Sequence, residues 1–354
     1  MLRANTVPID IVYLWVNGND PAWQVKRQHA AAQLAGINRL ALYANVEGRF
    51  RDNDELRYSL RALERFFPNH GHVYVLTDAQ APAWLENSEH LSIVDHRDLI
   101  PQALLPTFDS SNIESYIHRI PGLSERYFYL NDDVFFGAPV NVDNWFWSGG
   151  VYAAWSDEPE VSDEPLRMDS TSLENACRQS NIWLSQLAAQ TRRQYRHTFR
   201  TFAHAPRPMQ RSFLAALERQ LPHSFEAVRS TVFRAWDKPT VISDFVLRWN
   251  LEQGIAQMRD YTHMHISTGA ADSADQLLAL SSYMGRLDFF CINDTTDDAQ
   301  PNDPRLAAVR CTLSKLFPKA SKFEYSSLPR ASVQHQESPV ESYNLNPQPP
   351  LELS

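Results

Sequence analysis

Two carboxylates stand side by side in "YFYLNDDVFFG" (127–137), at the end of an aromatic and apolar run. No core accepts such a pair unpaired, so Asn131, Asp132 and Asp133 mark the end of a buried strand. Adjacent carboxylates on a rigid element suit a hard divalent cation such as Mg²⁺, whose other ligands are water or phosphate oxygens. Taken alone, the three residues fit a solvated turn equally well. "EGRFRDNDELRYSL" (47–60) sets Arg49, Arg51 and Arg57 among Asp52, Asp54 and Glu55 at the start of a helix. Arginines beside a helix N-terminus make an anion site, and by themselves they more often make a solvated, ion-paired surface.

Other residues are weaker as single features. Glu114 and His118 in "IESYIHRI" stand one helical turn apart, which brings them together on one face. His204 sits in the Pro-stiffened loop "FAHAPRPM" (202–209), where a fixed imidazole can serve as acid or base. Arg234 is a lone basic residue in the loop "STVFRAWDKPT". "HMH" (263–265) places two histidines on one strand face, but no cysteine or carboxylate follows closely, so metal binding is not expected there. "FFCINDTTDD" (289–298) offers a second Asn-Asp, Asn293 and Asp294, after an apolar run.

Regular elements must hold these groups. "IDIVYLWV" (9–16), "HVYVLTD" (72–78), "SIVDH" (92–96) and "RYFYLNDD" (126–133) read as strands. "DELRYSLRALERFF" (54–67) reads as a helix capped by Asp54, with Leu56, Leu60, Leu63 and Phe67 on one face and Pro68 ending it. Strands alternating with helices predict an α/β layer with a mainly parallel sheet flanked by helices. Ligands of such sheets bind off the carboxyl ends of the strands. Three strands here end in polar clusters: Asn17–Asp20, Thr77–Asp78 and Asn131–Asp133. Residues 170–260 read as helical and Arg-rich, interrupted by two proline-containing loops. The last thirty residues lack periodicity and read as a disordered tail.

Bulk properties exclude whole classes. A net charge of −9 over 354 residues argues against nucleic-acid binding. Three cysteines, far apart in sequence, do not make a disulfide scaffold and fit a reducing compartment. The apolar run near the N-terminus is too short for a secretory signal or a membrane span. A cytoplasmic protein is expected, with peripheral association at the inner face of the membrane left open. Neither Gly-x-Gly-x-x-Gly, a P-loop nor Gly-x-Ser-x-Gly is present.

In order, these segments resemble the Stealth family, which includes bacterial capsular-polysaccharide phosphotransferases and the catalytic subunit of the animal lysosomal-enzyme N-acetylglucosamine-phosphotransferase. Four blocks carry the resemblance: "IDIVYLWVNGNDP" (9–21), residues 49–85, residues 105–137, and a looser set of "FAHAPRPM", "FCINDTTDD" and "LFPKASKFE" (316–324). It implies a single catalytic domain over residues 1–325, with a nucleotide-sugar-binding (GT-A-like or Rossmann-like) core at 1–155 and a helical and C-terminal elaboration at 156–325; the tail is 326–354. It also implies an enzyme that transfers hexose-1-phosphate from a UDP-sugar to a glycan hydroxyl, with UMP leaving, in capsule or exopolysaccharide biosynthesis. By similarity, Asp132 and Asp133 hold Mg²⁺ or Mn²⁺ and act in catalysis with His204 and Arg234. Asn17 falls in the matching nucleotide-sugar loop. Arg49, Arg51, Asp54, Arg57, His118, Asn131, Asn293 and Asp294 complete the candidate substrate contacts. The expected partners are the nucleotide-sugar donor and an oligo- or polysaccharide acceptor; oligomeric state is not legible. A metal-dependent glycosyltransferase releasing UDP and a non-catalytic glycan-binding relative are the alternatives. His204, whose side chain ordinarily titrates near neutrality, is favoured over the Asp pair as general base.

Overall fold

In the computed structural model, residues 8–34, 40–42, 44–86, 88–300 and 302–325 are described; the expected tail lies outside them. Eleven strands among these residues form three sheets: β1 (Ile9–Leu14), β2 (Val73–Thr77), β3 (Leu91–Asp95), β4 (Arg126–Asn131), β5 (Val134–Phe136), β6 (Phe146–Trp147), β7 (Gly150–Ala153), β8 (Arg207–Gln210), β9 (Ala256–Met258), β10 (His263–Ser267) and β11 (Phe289–Asn293). The main sheet runs β3-β2-β1-β4-β8, with the first four strands parallel and β8 antiparallel to β4.

Period-2 alternation builds two cores from one sheet, because successive side chains leave a strand on opposite faces. Ile9, Ile11, Tyr13, Val73, Val75, Phe128 and Leu130 enter one core, against the helix Glu55–Phe66 and the C-terminal helix Pro304–Leu316. Val12, Tyr74, Leu76, Tyr127 and Tyr129 enter the other, under the helices Ser172–Gln190, Arg211–Gln220 and Pro222–Arg229. Phe128 meets Phe67, Phe136, Trp145 and Phe146 edge-on, with ring centroids 5.2–6.0 Å apart. The strand that ends in the Asp pair is therefore anchored in a rigid aromatic cluster.

Two expectations change. The helix is Glu55–Phe66, and Asp54 precedes it in a left-handed conformation (φ 68°) with no side-chain capping bond. Residues 170–260 are not wholly helical, for the end of the proline loop becomes β8, with Pro208 opposite Phe128. Proline cannot donate to a ladder and belongs on such an edge. The smaller sheet β10-β11-β5 reads across from the main one. Val134 pairs with Cys291, and Cys291 with His265. The amide of Ile292 donates to the Asp133 carbonyl at 3.0 Å.

Candidate active site

A cavity of about 1140 Å³ opens along the carboxyl ends of the main sheet. It is lined by Leu14–Val16 at β1, Asp78 after β2, His96 after β3 and Asn131–Asp133 after β4; β10 and the residues after β11 supply the facing wall.

Its acidic side holds Glu55, Asp132 and Asp133, with the Asp52 carboxyl close enough to act on two of them. Burial first, then Asp133, Glu55 and Asp52, push the Asp132 carboxyl well above the ordinary carboxylate range. Burial raises Asp133 to about 6. Glu55 rises to about 8 through burial and then Asp52, although Asn53 donates to it twice, at 2.5 and 2.9 Å. Asp52 itself rises to about 6, chiefly by burial. Such a cluster holds either protons or a cation. The Cys291 thiol reaches Asp133 Oδ2 at 3.5 Å, while Asp133 Oδ1 is buried with no hydrogen-bond partner. An orphaned hard oxygen beside a second carboxylate fits Mg²⁺ or Mn²⁺.

A second donor set adjoins the first. Donor atoms of His204, His265 and Cys291 lie within 4.8 Å of one another, a nitrogen and sulfur set that suits a softer ion such as Zn²⁺. Sequence reasoning dismissed "HMH" because it sought a partner nearby in the chain. The partner is Cys291, directly across the β10–β11 ladder.

The basic side is an arginine pair. Arg234 Nη2 donates to Ser110 Oγ at 2.7 Å, but its Nε is 3.9 Å from Asp109 Oδ1, too far for a hydrogen bond. The Nε atoms of Arg49 and Arg234 are both buried without partners. Burial, followed by repulsion from Arg234, pushes the Arg49 pKa down. A guanidinium stays charged in proteins, so that shift marks a cation short of counter-charge, which an anion supplies.

Two further groups complete the site. His204 is driven to about 3 by burial, then by His265, Arg207 and Arg234, so its imidazole is neutral at working pH. Tyr129 stands 2.8 Å from Asn131 Oδ1 and 2.9 Å from Glu114 Oε1. One phenolic proton cannot serve both oxygens. Glu114 is raised to about 7, mainly by burial, so in its protonated form it donates to the phenol and frees the Tyr129 proton for Asn131.

Of the residues picked from sequence, Arg49, Arg51, Asn131, Asp132, Asp133, His204, Arg234, Asn293 and Asp294 line the cavity. Arg51 and Asp294 are already spent on each other at 2.6 Å, with Thr296 bonded to both, and brace the wall. Asn17, Asp54, Arg57 and His118 do not line it. Asn17 Oδ1 takes the Asn19 amide at 2.9 Å, and Gln80 clasps the Asn17 backbone, so this residue shapes a turn. The Asp54 amide closes a turn on Asp52. Arg57 and Arg61 both grip Glu324, which ties the helix Glu55–Phe66 to the segment after the last helix. His118 turns from Glu114 to Glu218, 2.6 Å away, because the helix ends at Glu114 and a tighter turn, Ile117–Arg119, follows.

Three family regions match the chain: Stealth protein conserved region 1 at residues 7–35, conserved region 2 at 49–153 and conserved region 4 at 284–335. This chain belongs to the Stealth family. The stretches expected as separate second and third blocks fall within one region, 49–153, and "FAHAPRPM" lies between matched regions. The Stealth chain is similar to an exopolysaccharide phosphotransferase of Streptomyces coelicolor, 34% identical over 90% of this chain and 33% of that protein. It is similar as well to a capsular polysaccharide phosphotransferase of Actinobacillus pleuropneumoniae, 38% identical over 46% of this chain and 44% of that protein. It thus spans between a third and a half of the length of these relatives. A superposition on the galactosyltransferase LgtC, crystallised with donor and acceptor sugar analogues, covers 91% of this chain and 98% of that one at TM-score 0.42 and 8% identity; no residue or role is transferred from it. No helix among the described residues is long and apolar enough to cross a membrane.

Proposed function

We propose that this Stealth chain transfers hexose-1-phosphate from a UDP-sugar to a glycan hydroxyl and releases UMP, in capsular or exopolysaccharide assembly. The observation that carries this reading is the polarity of the cavity. Two arginines with buried, unpartnered Nε atoms share it with two carboxylates, one bearing an orphaned oxygen. Phosphate belongs where those two charges meet, and phosphoryl transfer asks mainly for positioning and charge neutralisation. The relatives' names point to the same class.

Asp132 and Asp133 would hold Mg²⁺ or Mn²⁺, which neutralises phosphate charge when bound. Arg49 and Arg234 bind the equatorial phosphate oxygens, where charge builds during transfer. The acceptor hydroxyl oxygen forms the new bond to phosphorus while the bond to the UMP oxygen breaks. The hydroxyl proton passes to His204, whose imidazole is neutral and gains basicity once phosphate charge is bound beside Arg234. Asn131, steadied by Tyr129, keeps the donor against the strand end. The test is to incubate the protein with a panel of UDP-sugars, an oligosaccharide acceptor and Mg²⁺ or Mn²⁺, and to identify the released nucleotide by chromatography. UMP with a phosphodiester-linked product is expected. UDP as the released nucleotide would overturn the reading in favour of glycosyl transfer.

A further inference from the structure

The sheet presents its carboxyl ends in the order β3, β2, β1, β4, and the cavity follows all four. The reaction described above uses only the β4 end. With neighbouring strands about 4.8 Å apart, the β3 and β4 ends are separated by roughly 14 Å. A ligand whose phosphates sit at Asp132 and Arg234 therefore carries its other end towards β2 and β3.

That corner holds an unexplained group. His96 is 5% exposed and lines the cavity, yet neither ring nitrogen has a hydrogen-bond partner. Buried polar atoms are overwhelmingly paired, so two bare nitrogens on one cavity-lining ring call for a ligand. Burial first pushes the His96 pKa down, to about 4, and the charges of Asp78 and Lys26 also act on it. The ring is thus neutral, with one donor and one acceptor. Asp78, in the same stretch of wall, takes Lys26 Nζ on Oδ2 at 2.5 Å, and no other hydrogen bond reaches that carboxylate among the described residues.

We propose that Asp78 and His96 form the base-reading end of the donor site and select a nucleobase with a ring N–H beside a carbonyl oxygen, as in uracil or guanine. This rests on the nucleotide-sugar reading. An ionised carboxylate only accepts hydrogen bonds, so Asp78 requires a donor on the base edge, and the ring N–H supplies it. The His96 N–H meets the neighbouring carbonyl. Cytosine and adenine present a bare ring nitrogen at that place, which sets lone pair against carboxylate. Sites built to pair a polar group reject ligands that lack it far more strongly than apolar pockets reject a missing methylene.

The experiment is calorimetric titration of the full chain, in Mg²⁺, with UMP, GMP, CMP, AMP and ribose 5-phosphate. UMP or GMP should bind at least tenfold more tightly than CMP and AMP; UMP in the lead agrees with the UDP-sugar donor, and GMP in the lead would keep the base-reading proposal but replace uracil by guanine in the donor. Asp78→Asn, nearly isosteric, should erase most of that preference, since a carboxamide can face either edge, and should leave ribose 5-phosphate affinity unchanged. His96→Ala should weaken the favoured nucleotide and leave ribose 5-phosphate unchanged. If both variants keep the wild-type ranking, the base-reading proposal is wrong while the nucleotide-sugar reading stands. If the mononucleotides bind no better than ribose 5-phosphate, the base is not read and the proposal fails. If nothing binds, the nucleotide-sugar reading fails with it.

Discussion

Raising the pH from 7 to 8 should destabilise the metal-free protein, because the folded state holds protons that the unfolded chain has released. Glu55 titrates at about 8 in the fold against an ordinary 4.5, and Asp132 is raised well above 3.8. A raised carboxyl contributes no loss below its unfolded pKa and a growing loss as pH climbs to its folded one. Each proton held in excess by the folded state lowers stability by about 1.4 kcal/mol per pH unit. Glu55 alone makes this about 1 kcal/mol between pH 7 and 8, or a fall of roughly 1–2 °C in Tm for a chain of this size, and Asp132 acts in the same direction. Histidines oppose the fall by only about 0.1 kcal/mol each between pH 7 and 8. His70, His96, His118, His197 and His204 are all depressed, chiefly by burial, to about 3 or 4. The stability they lend is complete above their unfolded value of about 6.5 and is lost as pH falls towards the folded values. Thermal scans in a chelator should therefore show Tm falling from pH 7 to 8. Millimolar Mg²⁺ or Mn²⁺ should remove the fall by displacing the protons, and Glu55→Gln should reduce it. A flat or rising Tm between pH 7 and 8 in chelator, or an equal fall with the cation present, would refute the cluster of protonated carboxyls.

Asp132→Asn and Asp133→Asn should each fold and lose about 10²-fold or more in kcat, as for a group acting in the transition state; near-normal rates in both would reduce the pair to a turn. His204→Gln should lower kcat yet leave the acid limb of kcat/KM in place, because the limb belongs to protons competing with the metal for Asp133, while burial holds His204 near 3. Disappearance of the limb would assign it to the histidine. Glu324→Gln breaks a buried carboxylate away from two arginines and should cost about 3 kcal/mol with kcat unchanged. A normal Tm with a lowered kcat would return Arg57 and its partners to the site.

Much of this was legible in the sequence where the physics is local. Apolar runs ending in polar clusters located β1, β2 and β4 within a few residues, since burying both faces of a strand leaves few other ways to write it. The Asp pair was legible because charge after an aromatic strand has no cheap structural use. What escaped depended on contacts remote in sequence. Arg57 looked like a phosphate ligand until Glu324, near the far end of the described chain, took it. His118 looked paired with Glu114 until a change of helix type sent it to Glu218. His265 and Cys291 became neighbours only through strand register, and the unpartnered state of His96 is a property of the space around it, which no spacing records.

The antiparallel strand β8 has a meaning for synthesis on the ribosome. β4 is complete at residue 131, but the strand that covers its outer edge ends only at residue 210. At about 5–20 residues per second, those intervening residues take roughly 4–16 s to emerge. Throughout that interval the aromatic strand bearing the Asp pair presents an open row of backbone donors and acceptors, the kind of edge that recruits other chains. β8 ends the hazard, and its proline leaves the new edge blunt. Slow translation between residues 131 and 210, or crowding of ribosomes on one message, should therefore raise aggregation of this chain more than the same delay placed after residue 210.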